Sequence, residues 1–332
     1  VGIPESCVFL IGMQIHTIEK ASLPAFKKAV ITIGSFDGVH QGHRQILAQM
    51  LEEARLIEGE TVIITFYPHP RKVISSIPGE VKLLTTLQEK TLLLEQAGID
   101  HLVVIPFNHH FAQLSAEEFV QDFLYAQFHP HTVIIGYDHR FGKGRSGDYH
   151  LLEKMGESLG FRVMEIDEQM LQASAISSTR IRQAILHHQV EEATALLGYP
   201  YFFEGIVMEG NKLGRTIGFP TANLQITEED KLIPANGVYV VAVTILNNDG
   251  KNSIRKEGMM NIGIRPTVDG KNRVIEVHLF DFTETIYQRT LQVKILHFIR
   301  EEVKFNSLDQ LTTQLASDRQ TALEWLSKTT TL

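Results

Sequence analysis

A chain of 332 residues with 43% hydrophobic residues is long enough to bury a full core, and at about 100 to 200 residues per domain its length suggests two domains. Its 31 basic and 39 acidic residues leave a net charge of −8, which disfavours a general nucleic-acid or acidic-membrane binder, because no excess basic field exists to attract a polyanion. One cysteine, Cys7, excludes an intrachain disulfide and fits a reducing, cytoplasmic setting.

The chain opens on Val1, and Cys7 to Met13 is an apolar run without a basic segment before it, too short for a membrane span or a signal peptide. Met13 is the expected native start, and residues 1–12 are left out of the fold argument. Ala29 to Ile33 reads as a buried strand, and after it Ile46, Leu47, Met50, Leu51 and Ala54 recur at helical spacing. Between them runs Gly34-Ser35-Phe36-Asp37-Gly38-Val39-His40-Gln41-Gly42-His43. A strand, a tight loop and a helix in that order bring backbone N–H groups and a helix N-terminus to one point, and both favour a phosphate. Gly34, Gly38 and Gly42 let the backbone approach a ligand, while His40 and His43, protonated or as neutral donors, can stabilise charge growing on a phosphoryl group. A metal site at the two histidines is disfavoured, since no Cys or acidic partner lies at ligand spacing.

Short β-rich runs then alternate with helical ones. Thr61 to Phe66, His101 to Phe107, Thr132 to Gly136 and Arg162 to Ile166 read as strands. Leu83 to Gln96, Ser115 to Phe128 (with Ser115 and Glu118 as a capping box) and Asp148 to Leu159 read as helices. This alternation predicts an α/β domain with a Rossmann-like, doubly wound parallel sheet, whose ligand sits beyond the carboxyl ends of the strands. Pro68 and Pro70 predict an extended loop after the second of these strands, with His69 either facing a ligand or lying in a plain rigid turn. His109 and His110 read as exposed. The loop from Tyr137 to Asp148 offers an acid in Asp138, an aromatic surface in Phe141 and a cation in Arg145, suited to a flat heterocycle bearing a phosphate. Ser177, Ser178 and Thr179 put hydroxyls at the start of a helix with Arg182 one turn in, which is either a serine-capped helix or an anion cradle. Val190 to Leu197 closes this domain.

From Tyr201 the texture changes to apolar alternation. Strands are expected at Phe202 to Met208, Gly237 to Leu246, Val274 to Phe282 and Leu291 to Phe298, with a hairpin turn at Asn247-Asn248-Asp249-Gly250, predicting an antiparallel β-barrel or sandwich. A terminal helix begins at Ser307 with Gln310 completing its cap. The domains are expected at 13–198 and 199–332. The run Gly210 to Asn223 is not a P-loop, because Arg215 replaces the lysine and Pro220 blocks the helix that would follow. It reads instead as a structural loop with a proline stop, or as a glycine-rich flap whose Thr221 and Asn223 oxygens hold Mg²⁺ against a nucleotide phosphate.

The segment GSFDGVHQGH resembles the signature of the HxGH nucleotidylyltransferases, and its form FDGVHQGH is similar to the adenylyltransferase half of the bacterial bifunctional riboflavin kinase/FMN adenylyltransferases (FAD synthetases). The segment from Ile176 to Arg182 resembles that family's ISSTxIR motif, and Gly136 to Gly142 its flavin-side motif, with His139 standing where a phenylalanine is expected. GRTIGFPTAN resembles the hallmark of riboflavin kinases. That likeness continues through Asn236 to Tyr239, Met260 to Thr267, Ile275 to His278 and the Phe298-Ile299-Arg300-Glu301 segment, and departs from the pattern at Val268 and Gln288, in place of phenylalanine and glycine.

The resemblance implies two ATP-dependent reactions, riboflavin to FMN and FMN to FAD, with ATP, riboflavin and FMN as partners and Mg²⁺ accompanying ATP. For adenylyl transfer it implies ATP binding by Gly34, Phe36, Asp37, His40, His43, Ser177, Ser178, Thr179 and Arg182, and flavin binding by Phe66, His69, Asp138, Phe141 and Arg145. His40, His43 and Arg182 would stabilise the transition state. For the kinase it implies ATP binding by Gly214, Arg215, Gly218, Pro220, Thr221 and Asn223, metal at Thr221 and Asn223, Glu276 as the base, and a flavin contact from Glu276 and Arg300. Neither nucleic acid nor membrane is an expected partner, and self-association is left open. A different nucleotidylyltransferase joined to an unrelated β domain would leave GFPTAN unexplained, and a flavin-binding module with decayed catalysis would not need His40, His43, Thr221, Asn223 and Glu276 intact.

Overall fold

The computed structural model describes residues 12–18, 23–74, 82–166, 176–210, 213–246, 253–267 and 270–329. Two compact units divide the chain, one ending at Ser178 and the other starting at Thr179.

The first unit is built on a six-stranded sheet of β1 (Gln14–Thr17), β2 (Val30–Ile33), β3 (Thr61–Tyr67), β4 (His101–Pro106), β5 (Thr132–Gly136) and β6 (Arg162–Ile166), in the order β1-β4-β3-β2-β5-β6. Its strand pairs are parallel. The inner strands are buried on both faces, which is why they read as continuous Val and Ile runs rather than as alternation. From β2 the chain winds outward through β3 and β4 on one side and through β5 and β6 on the other, so the topological switch falls at β2, and the histidine turn leaves its carboxyl end.

The second unit is a closed barrel in the order β10-β11-β8-β7-β12-β9, formed by β7 (Phe202–Met208), β8 (Ala222–Gln225), β9 (Gly237–Leu246), β10 (Ile254–Thr267), β11 (Gly270–Leu279) and β12 (Thr290–Arg300). Its pairs are antiparallel. Alternation assigns the faces: Tyr239, Met260 and Val277 share one cross-strand row and are buried in the barrel, as are Val243 and Val293. On the opposite face Val240, Met259 and Phe280 pack against Ala322 and Leu326 of the terminal helix Leu308–Thr329. That helix is pinned by a buried pair: Arg300 Nε and Nη2 donate to the Asp318 carboxylate at 2.8 and 2.7 Å, and Gln314 Nε2 donates to Asp318 Oδ1 at 2.8 Å.

By contacts within the chain, helix Val190–Leu197 and all but the first residue of helix Ser178–Leu186 belong to the second unit. Several local expectations change. Pro70 does not hold an extended loop; it opens the short helix Pro70–Ile74, where its missing N–H costs nothing, and His69 Nδ1 accepts from Arg71 N. The short edge strand β1 and the 14-residue strand β10 were not among the expected elements. Helix Ser115–Phe128 forms with its expected capping box, but its middle, Phe119–Tyr125, is π-wound. Gln288, where the family pattern has glycine, holds a φ of +61°. The hairpin at 247–250, Val268 and the extension before Gly12 lie outside the described residues.

Arg300→Ala would leave the Asp318 carboxylate, 1% exposed, without its cation, and should destabilise the barrel by about 3–5 kcal/mol. The single tryptophan, Trp325 on the terminal helix, reports this as a lower denaturant midpoint, and Arg300→Ala combined with Asp318→Leu should recover part of the loss.

Candidate active sites

The turn after β2 runs through backbone that side chains rarely adopt, with φ of +47° at Phe36, +88° at Gly38 and +36° at Val39. A buried carboxylate holds it. Asp37 Oδ1 accepts Leu84 N at 2.9 Å and Thr85 N at 3.1 Å, and Gly38 N donates back to Thr85 Oγ1 at 3.0 Å. Ser178 Oγ donates to the Asp37 carbonyl at 3.1 Å, which brings one expected hydroxyl to the turn. The Asp37 side chain thus clamps the loop. Gly34 stays small because a Cβ would meet the Phe36 ring at 3.2 Å.

His40 is the N-cap of helix Gln41–Ile57, its Nδ1 accepting His43 N at 3.4 Å, which puts the ring proton of the neutral form on Nε2. Its ring stacks on His43 at 3.7 Å with an interplanar angle of 14°. Burial, then the neighbouring His40 and Lys90, push the His43 pKa well below its ordinary value, so His43 is a neutral imidazole at physiological pH. His43 Nδ1 has no hydrogen-bond partner among the described residues. Lys90 was not anticipated: it is buried, and its Nζ donates to Thr65 Oγ1 at 3.2 Å.

The expected flavin-side residues are brought to two kinds of place. Phe66 joins Phe107 and Phe111 in an aromatic cluster beyond β3, and Phe111 links it to Phe119, on which Phe141 stacks at 5.2 Å. Phe141 is 6% exposed and part of the core, with Gly147 so close that a Cβ would overlap its ring. Asp138 and Arg145 are exposed and flank His139, whose pKa burial lowers to about 4. His139 Nε2 has no hydrogen-bond partner among the described residues. Ser177 and Thr179 are exposed at the start of the helix on which Arg182 is partly buried.

In the barrel, Glu276 on β11 pairs with Asn223 on β8 and with Asn261 on β10, making one cross-strand row. Ile275 and Val277 point into the core, so this row lies on the outer face, the side of Met259 and His278, rather than in a barrel mouth. The flap lies against that face: His278 Nδ1–H donates to the Pro220 carbonyl at 2.8 Å, and the Phe219 ring sits 5.4 Å from the His278 ring. Phe219 N donates to Gly214 O at 2.8 Å, and the Phe219 carbonyl would lie 2.2 Å from a Cβ at position 214, so only glycine closes this turn. Gly210 is packed on the Asn223 amide, and Gly218 has a φ of +82°. Thr221 is exposed beside the row, and Arg215 Nη2 donates to Tyr287 OH at 3.3 Å. Arg300 is not at this row's disposal, its fork being engaged by Asp318 and by the Glu301 carbonyl.

With this geometry in hand, comparison with known proteins is decisive. Residues 23–180 match the model of the FAD synthetase family, and residues 197–326 that of the riboflavin kinase family. The bifunctional riboflavin kinase/FMN adenylyltransferase of Escherichia coli K12 is 38% identical over 315 residues, covering 95% of this chain and 97% of that protein. The chain belongs to that bifunctional family. Relatives of the same description from Listeria monocytogenes and Bacillus subtilis are 39% and 36% identical, each covering 90% of this chain and 93% of the relative. A crystal structure described as a macrolide-efflux protein from Streptococcus pneumoniae superposes with a TM-score of 0.81 at 32% identity, covering 94% of this chain and 99% of that one. Among the described residues of the present chain no helix is long and apolar enough to cross a membrane.

His139 gives this family member a pH signature. As pH falls through 6.5 the unfolded chain protonates this histidine while the native one resists until about 4, so the stability that its neutral burial leaves intact above 6.5 is lost across that window. Substituting His139→Phe should flatten the acid side of the calorimetric stability profile between pH 6.5 and 4; an unchanged slope would contradict the burial of its neutral form.

Proposed function

We propose that the chain phosphorylates riboflavin to FMN on the barrel and adenylylates FMN to FAD on the sheet unit. The observation that carries this reading is the pair of built sites, a clamped glycine turn with two stacked imidazoles in one unit and an Asn223–Glu276 row under a glycine-closed flap in the other. The two family matches fall on these same two units.

On the barrel, Glu276 takes the proton from the ribityl 5′-hydroxyl, which attacks the γ-phosphate of ATP. Thr221 and Asn223 offer hard oxygen ligands beside Glu276. Among the described residues no group of three His, Cys, Asp or Glu is placed to hold a metal, which suits an ion that arrives with the nucleotide phosphates and needs one or two protein oxygens. Mg²⁺ is such an ion, and when bound it neutralises charge on the β- and γ-phosphates. Gly214, Gly218 and Pro220 shape the flap over the phosphates, with Arg215 at its start.

On the sheet unit, the phosphate of FMN attacks the α-phosphate of a second ATP, forming FAD and releasing pyrophosphate. That nucleophile is already ionised, so no base and no covalent intermediate are required. His40 and His43 act as donors over the turn, His43 as a neutral imidazole, Ser178 steadies the turn from the start of helix Ser178–Leu186, and Ser177, Thr179 and Arg182 keep the roles that the family resemblance implies. Phe66 supplies an aromatic wall, while Asp138, Arg145 and His69 are polar groups for the flavin end.

Incubating the protein with riboflavin, ATP and Mg²⁺ and resolving products by chromatography should show FMN followed by FAD. Glu276→Ala should lower FMN formation by about 10²- to 10⁴-fold, the range of a lost general base, while FAD formation from supplied FMN persists. Loss of both activities in a folded variant would contradict the separation of sites.

A further inference from the structure

Lys90 is a buried ammonium that neither reaction has used. It lies in the first turn of helix Leu87–Gln96, whose start is fixed by the Thr86 and Glu89 capping box. Lys90 Nζ donates to Thr65 Oγ1 on β3 at 3.2 Å, and Thr65 Oγ1 in turn donates to the Ser35 carbonyl at 3.4 Å, inside the turn. Both Lys90 and Thr65 are buried, at 6% and 0% exposure.

The groups that face this ammonium are few. Asp37 faces it from the turn and favours its charged form, and His43 faces it from helix Gln41–Ile57, where the lysine helps keep the imidazole neutral. Glu89, its neighbour on the helix, accepts Thr86 N in the cap. The Asp37 oxygen Oδ1 is already occupied by Leu84 N and Thr85 N. Desolvating an ammonium costs several kcal/mol unless anions offset it, and the nearby Asp37 offsets only part of the burial of Lys90. Burial accordingly lowers the Lys90 pKa to about 8. What the turn offers in front of that cation is a set of backbone amides and the neutral imidazole of His43, donors for a phosphate without a full positive charge of their own.

We infer that Lys90 is a fixed positive charge behind the adenylyl-transfer turn, a positioning residue that stabilises the ATP triphosphate from behind through the Thr65–Ser35 link while His43 donates as a neutral group. This rests on the assignment of FMN adenylylation to the same turn. An incoming triphosphate adds its negative charge to that of Asp37 near the buried ammonium, so its binding and the protonation of Lys90 favour each other.

The test is FMN adenylylation by the full chain, with kcat and the KM for ATP followed from pH 6.5 to 10 for the wild type, Lys90→Arg and Lys90→Met. Wild-type kcat/KM for ATP should fall on an alkaline limb with a midpoint near 8, the value of the free enzyme. Lys90→Met should lose tenfold or more in kcat/KM, chiefly through KM, and lose the limb; Lys90→Arg, which keeps its charge at every pH used, should retain most of the rate and also lose the limb. Should Lys90→Met fail to fold, the arginine variant alone decides through its pH profile. An alkaline limb unchanged in Lys90→Arg, or a Lys90→Met enzyme within twofold of wild type, overturns the inference. A wild type that makes no FAD from FMN at any pH refutes the adenylylation reading itself, which is a different failure.

Discussion

One buried carboxylate holds the sheet unit's site together. Asp37 accepts the amides of Leu84 and Thr85 and thereby fixes a turn that crosses positive φ at Phe36, Gly38 and Val39. Two of those residues carry side chains, at a cost of roughly 1 kcal/mol each, which the buried hydrogen bonds offset. The same segment, 84–90, then supplies Thr85 to Gly38, the cap of its own helix, and Lys90 to Thr65. Strand β2, its turn and the helix start are thus all referenced to a segment between β3 and β4 in the chain. Pre-organisation of this kind matters for adenylyl transfer because the reaction asks for position and charge and little else.

In the barrel the corresponding constraint is close backbone approach. The Phe219 carbonyl takes the space of a side chain at position 214, and Gly210 makes room for the Asn223 amide. Those contacts, with the His278 to Pro220 hydrogen bond, lay the flap along the outer face of β11, where Glu276 stands next to Asn223. A base and the phosphate-side ligands therefore sit on adjacent strands at a spacing set by the sheet rather than by loop conformation.

Much of this was legible in the sequence, for identifiable reasons. The buried parallel strand β5 announces itself as a Val and Ile run, and β6 and the antiparallel β7 and β9 also fall at the expected residues. The caps at Ser115 and Asp148 follow from short polar side chains before apolar stripes. β10 was missed because Ile254 to Thr267 mixes charges and two glycines, Gly258 and Gly263, into a long strand and so breaks the apolar alternation. Lys90 was invisible because a lysine after Gln88 and Glu89 reads as a helix surface; only the turn packed over it reveals the burial. The pairing of Arg300 with Asp318 was not legible, because Asp318 lies on a helix far along the chain from the strand that ends at Arg300. Features that depend on local chain geometry are thus legible in the sequence, whereas contacts defined by a distant partner, such as Lys90 to Thr65, are not.

The dependence of the first site on its clamp is tested most directly by Asp37→Ala in the full chain, with FAD formation from supplied FMN and FMN formation from riboflavin measured side by side. The account predicts that adenylylation collapses, because two buried amides lose their acceptor and the turn relaxes, while riboflavin phosphorylation keeps its wild-type rate. FAD formation at the wild-type rate would contradict it.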